Sequence, residues 1–213
     1  MTTYATSTGT EVRRLVRSLS PDDAQRIFRA VLETLARPGT VWRLPDGPLG
    51  DLPAALLPVL ALADLTTPAC VLQDGDGAAV GEDWAEYLRT MTSAPLTGVA
   101  GARLASVLRP LAPGELSGFP TGSAAQPERG ALVCLAVSGI EPEPAGSGPL
   151  WRLSGPGVPG SRALRVTGLP DDFLACRDAL IGDFPAGVDL LFAAPDGSVA
   201  GLPRTTAVTK EAD

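Results

Sequence analysis

Residues 131–137, Ala131-Leu132-Val133-Cys134-Leu135-Ala136-Val137, form an unbroken apolar run in a chain of 213 residues. A strand that is apolar at every position, and not at alternate ones, must be covered on both faces. That places it near the centre of a layered α/β sheet. Further short apolar runs, Ala69-Cys70-Val71-Leu72, Val188 to Ala193 and Val199 to Leu202, also read as strands. The last two flank Pro195-Asp196-Gly197 and are expected to form a hairpin. A closing hairpin makes the sheet mixed, not purely parallel.

Helical patterns alternate with these strands. Ser20-Pro21-Asp22-Asp23 starts a helix, since Ser20 can cap and Pro21 fits the first turn. Ile27, Phe28, Val31, Leu32 and Leu35 then recur at helical spacing as one apolar face. Arg37-Pro38-Gly39 ends it, and Thr40 to Leu44 reads as the next strand. Residues 53–63 are apolar all round and read as a buried helix that Pro58 kinks or divides. Residues 82–92 form a helix with Trp84, Leu88 and Met91 on one side, and 170–181 form another. Residues 95–107 read as extended, 113–116 as a short helical turn, and 118–126 as a loop. Residues 141–148 read as a Pro/Gly-rich surface loop. Trp151-Arg152-Leu153 begins a strand that ends at Gly155-Pro156-Gly157. Asp74-Gly75-Asp76-Gly77 lacks the remaining ligands of a calcium loop and reads as a turn.

The expected architecture is therefore α/β, a mixed sheet flanked by helices. Residues 21–207 are expected to be a single domain, between a flexible N-terminal segment at 1–20 and a tail at 208–213.

Hydrophobic residues make up 45% of the chain, charged residues 19%, and the net charge is −7. Without a Lys/Arg run, that balance argues against nucleic acid as a partner. The first residues lack the basic-then-apolar order of a signal peptide. The longest apolar stretch, 52–63, is short of the roughly 20 residues a bilayer span needs. Cys70, Cys134 and Cys176 are odd in number and far apart, as expected of buried free thiols in a reducing compartment, so the chain is expected in the cytoplasm.

There is no histidine, and Lys210 is the only lysine. The first absence removes Ser-His-Asp and Cys-His chemistry and most catalytic zinc sites. The second leaves no internal lysine for a Schiff base or a Walker-type phosphate loop. The cysteines form no CxxC pair, and neither a metal site nor a bound cofactor is expected. Asp22-Asp23, Glu82-Asp83 and Asp171-Asp172 each precede a helix and suit its N-terminal dipole. The chemistry left is that of carboxylates, arginines, hydroxyls and thiols, which bind and orient more readily than they catalyse alone.

Six segments carry a resemblance: Phe28-Arg29 with Ala36-Arg37-Pro38-Gly39-Thr40, Thr67-Pro68, Pro127-Glu128-Arg129-Gly130-Ala131, Leu153-Ser154-Gly155-Pro156-Gly157-Val158, Phe184-Pro185-Ala186-Gly187-Val188-Asp189, and Leu202-Pro203-Arg204-Thr205-Thr206. In this order they resemble the PhnH family of the carbon–phosphorus lyase system, with Ser154 where threonine is common. The resemblance implies a reduced pyridoxal-phosphate-dependent transferase fold without the cofactor, assembled as a homodimer. It further implies an accessory subunit working with PhnG-, PhnI- and PhnJ-type partners. That machinery couples an alkylphosphonate to the ribose of ATP, displacing adenine, before a partner's iron–sulfur radical chemistry cleaves the carbon–phosphorus bond.

Within that picture Arg37 and the Arg204-Thr205-Thr206 run are candidate ligands for phosphate or carboxylate, which arginine grips bidentately. The competing reading pairs both arginines with acidic neighbours. Pro38 and Gly39, and Gly155 and Gly157, read as structural turns. Asp189 either fixes the turn before it or partners an arginine. Trp42, Trp84 and Trp151 are the expected interface anchors.

Overall fold

In the computed structural model, which describes residues 18–49, 52–74, 83–143, 150–182 and 184–211, the run 132–136 is an interior strand. In chain order the elements are α1 (Pro21–Ala36), β1 (Val41–Arg43), the single turn α2 (Asp46–Leu49), a 3-10 turn at Ala54–Leu56 leading into α3 (Leu57–Leu62), β2 (Ala69–Leu72) and α4 (Trp84–Thr92). They continue with β3 (Leu104–Val107), β4 (Thr121–Ser123), β5 (Gln126–Gly130), β6 (Leu132–Ala136), β7 (Gly139–Pro142), β8 (Leu150–Gly155) and β9 (Val158–Thr167). The last are α5 (Phe173–Ile181), β10 (Asp189–Ala193), β11 (Ser198–Leu202) and β12 (Ala207–Glu211).

The main sheet has six strands in the order β1-β11-β10-β6-β3-β2. The β2, β3, β6 and β10 neighbours run parallel, while β11 and β1 are antiparallel, so the sheet is mixed as expected. Alternate residues serve two separate cores. Cys134, Leu191, Ala193 and Val199 pack with Ile27, Val31, Leu56, Leu57 and Leu88 under the helices. Val133, Leu135, Leu190, Phe192 and Ala200 pack on the other face with Trp151, Leu153, Leu164 and Phe173. A strand feeding two cores needs apolar side chains at both parities, which is why its sequence shows no alternation.

Helix α1 begins as its sequence dictates: the Asp23 N–H donates to Ser20 Oγ at 3.1 Å, with Pro21 in the first turn. Only part of its apolar face is buried. Ile27, Ala30, Val31 and Thr34 meet the sheet, but Phe28 and Leu32 remain 49% and 55% exposed. Pro58 falls in the first turn of α3, where proline costs no helical hydrogen bond, so the 53–63 segment divides there.

Several expectations are corrected. The run 118–126, expected as a loop, contributes the hairpin β4–β5. The 95–107 stretch contains a 3-10 turn at Val99–Gly101 before β3. A second sheet, β12-β8-β9-β7, covers one face of the first, and neither its ten-residue strand β9 nor β12 was anticipated. Residues 207–211, expected to be mostly tail, pair antiparallel with β8 from Ala207↔Ser154 to Glu211↔Leu150. Lys210 therefore lies in a strand and not in a frayed end. Trp151 is 6% exposed and stacks on Phe173 at 5.8 Å between ring centres, so it is a core residue and not an interface anchor. The turn expected at 74–77, the loop at 141–148 and the segment at 1–20 lie wholly or largely outside the described residues. Among the described residues no helix is long and apolar enough to cross a membrane.

The cysteines give a direct check on this packing. Burial pushes the Cys70 thiol up to about 11 and the Cys134 thiol higher still. Cys176 is half-buried, and its hydrogen bond to the Asp172 carboxylate, at 3.3 Å, raises it first, with burial second. At pH 8 a thiol-reactive disulfide should label Cys176 slowly, and Cys70 and Cys134 only on unfolding. Peptide mapping of the labelled protein reads this, and fast labelling of Cys134 would contradict the two-core arrangement.

Candidate functional site

Asp189 opens β10, and its carboxylate faces the turn that follows β11. Arg204 donates to it from its backbone N–H at 2.8 Å, from Nε at 3.2 Å to each oxygen, and from Nη2 at 2.7 Å. The remaining nitrogen, Nη1, donates to the Pro127 carbonyl at 2.9 Å and the Pro185 carbonyl at 3.2 Å. One guanidinium thus ties the start of β10, the 184–187 turn and β5 to the chain after β11. The fork geometry of arginine suits this task, because a single side chain reaches a carboxylate and two carbonyls in different directions.

Glycine makes the approach possible. A Cβ at Gly130 would lie 2.2 Å from the Gly187 carbonyl oxygen and 2.7 Å from Arg204 Nη2. Gly187 itself has φ +150°. A Cβ on Gly155, at φ +125°, would lie 2.9 Å from the Thr205 carbonyl oxygen. Segments far apart in sequence therefore meet at one end of the sheet, where the parallel strands β6 and β10 begin.

A buried arginine that sequence reasoning missed supports the same turn. Arg177 on α5 is 0% exposed, and its Nη2 donates to the Pro203 carbonyl at 3.0 Å and the Thr206 carbonyl at 2.7 Å. Burial pushes its guanidinium below the ordinary arginine value. The available signal was a basic residue inside the largely apolar segment Phe173–Ile181.

The other sequence candidates separate. Thr205 is exposed, whereas Thr206 is 1% exposed and its Oγ1 has no partner among the described residues. Arg37 does not join Arg204. It pairs with Glu33 one helical turn back, and its carbonyl accepts from the Thr40 N–H and hydroxyl. Pro38 and Gly39 make the expected turn, with Gly39 at φ +83°. Gly157 does likewise at φ +78°, where a Cβ would meet the Ala36 carbonyl oxygen at 2.0 Å. These two turns abut, and Arg162 Nη1 donates to the Pro38 carbonyl at 3.3 Å across the junction.

The opposite end of the sheet, where α/β folds usually hold ligands, carries a different pair. After β3, Arg109 donates to both oxygens of Glu115, one of them at 2.8 Å, and the Ala112 N–H adds a third bond at 3.0 Å. The Arg109 hydrogen bond is the main reason the Glu115 carboxyl lies below its ordinary value of 4.5. A depressed native value means this pair stabilises the fold fully above the unfolded-state value and loses that effect as pH falls through the native one. Wild type should therefore exceed Glu115→Gln in stability by on the order of 1 kcal/mol at neutral pH. Urea unfolding at a series of pH values should find the gap closing below about pH 4; a gap that persists in acid would assign the loss to packing.

Among the described residues no three Asp, Glu or Cys side chains gather as a metal-ligand set.

Comparison with known proteins places these features in a family context. Residues 18–209 match the family described as bacterial phosphonate metabolism protein (PhnH). A protein of Stutzerimonas stutzeri named putative C-P lyase subunit protein HtxG is 35% identical over 185 residues, 85% of this chain and 84% of that one. The alpha-D-ribose 1-methylphosphonate 5-triphosphate synthase subunit PhnH of Rhizobium meliloti (strain 1021) is 31% identical over 195 residues, 89% of this chain and 92% of that one.

Proposed function

We propose, since this chain belongs to the PhnH family of bacterial phosphonate metabolism proteins, that it is an accessory subunit of the carbon–phosphorus lyase core complex. In that role it serves the step that couples an alkylphosphonate to the ribose of ATP, as a homodimer held in the cytoplasm with PhnG-, PhnI- and PhnJ-type subunits. A fold reduced from the pyridoxal-phosphate-dependent transferases, with the cofactor lost, belongs to the same reading.

The observation that carries the accessory role is how the family-matched segments are used. Arg204, Asp189, Gly130, Gly155 and Gly187 are spent on one another and on backbone carbonyls. They tie one end of the sheet together. That also lends little support to the alternative, a nucleotide or phosphonate site made from Arg204, Thr205 and Thr206. Exposed apolar side chains, Phe28, Leu32, Trp42, Leu65, Leu96 and Phe184, supply the material from which subunit contacts are made.

The test is light scattering coupled to size-exclusion chromatography, on this chain alone and co-expressed with its PhnG- and PhnI-type subunits. A homodimer that moves into a larger stoichiometric complex is the expected result. A chain that stays apart from every partner at low salt defeats the proposal.

A further inference from the structure

The junction between the end of α1 and the β8–β9 turn leaves a shallow open depression of about 400 Å³, lined by Ala36, Arg37, Gly157, Val158, Pro159 and Arg162. Two glycines with positive φ create it. Gly157 brings the β-turn against the last carbonyl of α1, and Gly39 lets the Arg162 side chain lie where a Cβ would come within 2.9 Å of it. An arginine from each side of the junction consequently lines one concavity, although 125 positions separate them in sequence (162 − 37).

Neither guanidinium is used up. Among the described residues Arg162 is tethered through Nη1 to the Pro38 carbonyl, which fixes its direction and leaves the rest of its fork without a further hydrogen bond there. Arg37 is 56% exposed on its side chain and holds Glu33, itself 26% exposed. Among the described residues, two cationic forks against one carboxylate leave one positive charge in excess at the depression. A carboxylate ligand, with two oxygens and one charge, is satisfied by a single fork. A tetrahedral dianion offers three oxygens and can take bonds from both.

We propose that this depression is an oxyanion site for a phosphate or phosphonate group, held between Arg37 and Arg162, with Glu33 as the internal competitor for Arg37. The site stands on the depression alone and survives if the assembly reading fails. Its size leaves room for a small substituent on phosphorus, at the low end of the range for ligand pockets.

The experiment measures stabilisation and affinity at low ionic strength, by thermal shift and titration calorimetry, with inorganic phosphate, methylphosphonate and magnesium-free ATP as separate probes. Wild type should be stabilised by at least one probe. Arg162→Ala and Arg37→Ala should each weaken that probe by about tenfold, as expected for a lost charge-assisted contact. Glu33→Gln should tighten it, because Arg37 is then released from its competitor. Arg37 lies on the surface, so its variant keeps the fold and the comparison remains valid should Arg162→Ala unfold. Tighter binding of methylphosphonate than of ATP assigns the site to the phosphonate, and the reverse order to a nucleotide's phosphates. If no probe stabilises the wild type, or if both arginine variants bind as well as it does, the site does not exist.

Discussion

A Gly201→Val chain is expected to melt roughly 6–12 °C or more below the wild type, or to lose a cooperative transition altogether. Gly201 sits in β11 directly beneath α1. A Cβ there would lie 2.6 Å from the Thr34 carbonyl oxygen, 2.7 Å from its carbon and 2.8 Å from the Leu35 nitrogen. These are backbone atoms of a helix, so no rotamer change can relieve the overlap. The helix must lift from the sheet, and Ile27, Ala30 and Val31 lift with it from a core where each is 0–4% exposed. The cost therefore combines overpacking with lost burial, at about 3 kcal/mol or more. Thermal unfolding followed by circular dichroism reads the result. Gly201→Ala should fall in the same direction, and an alanine variant as stable as the wild type would mean that α1 does not rest on β11.

Arg204→Ala is expected to cost about 2–4 kcal/mol, and Arg204→Lys should recover little of it. Removing the guanidinium leaves the Asp189 carboxylate without its main cationic partner and the Pro127 and Pro185 carbonyls without their donor. The Arg204 side chain is 12% exposed and that of Asp189 29%, so water replaces those bonds only in part. An ammonium group cannot reach a carboxylate and two diverging carbonyls together. The Asp189→Asn/Arg204→Ala double variant should be less damaged than the two single losses added, because each single change already forfeits the shared bond. Denaturant unfolding of the four chains measures that coupling. If Arg204→Ala keeps wild-type stability, the arginine is available to a ligand after all, and loss of ATP- or phosphonate-induced stabilisation in that variant would then identify the role.

What could be read beforehand follows a physical line. The segment 131–137 announces a doubly covered strand because burial on both faces leaves no polar position. Ser20-Pro21 and Arg37-Pro38-Gly39 announce the ends of α1 because caps and prolines act locally. The first half of strand β9 announces nothing: Val158-Pro159-Gly160-Ser161-Arg162 mixes turn residues with charge, and the pairing of β9 with β8 is visible only in three dimensions. The same holds for β12, whose Thr209, Lys210 and Glu211 look like a solvated end until they are paired. Phe28 and Leu32 carry the helical period, yet period alone cannot say which residues of an apolar arc the sheet covers. At the candidate site, local sequence singled out Asp189 and Arg204 separately. Their union needs residues 15 positions apart to meet a third party, Pro127, 77 positions before Arg204.

The antiparallel place of β1 and β11 at one side of the sheet also governs the order of events during synthesis. Val41 pairs with Ala200, and α1 lies on Gly201 as well as against α3, so the sheet side of α1 has no partner until β10 and β11 leave the ribosome. At about 5–20 residues per second, the 165 residues from Arg37 to Gly201 take on the order of 10–30 s to emerge. Throughout that interval the α3 segment is the partner at hand for Ile27 and Val31, and the strand that completes their burial is missing. The nascent chain therefore carries the sheet-facing side of α1 incompletely covered until β11 has been made, a natural client for the chaperones at the tunnel exit.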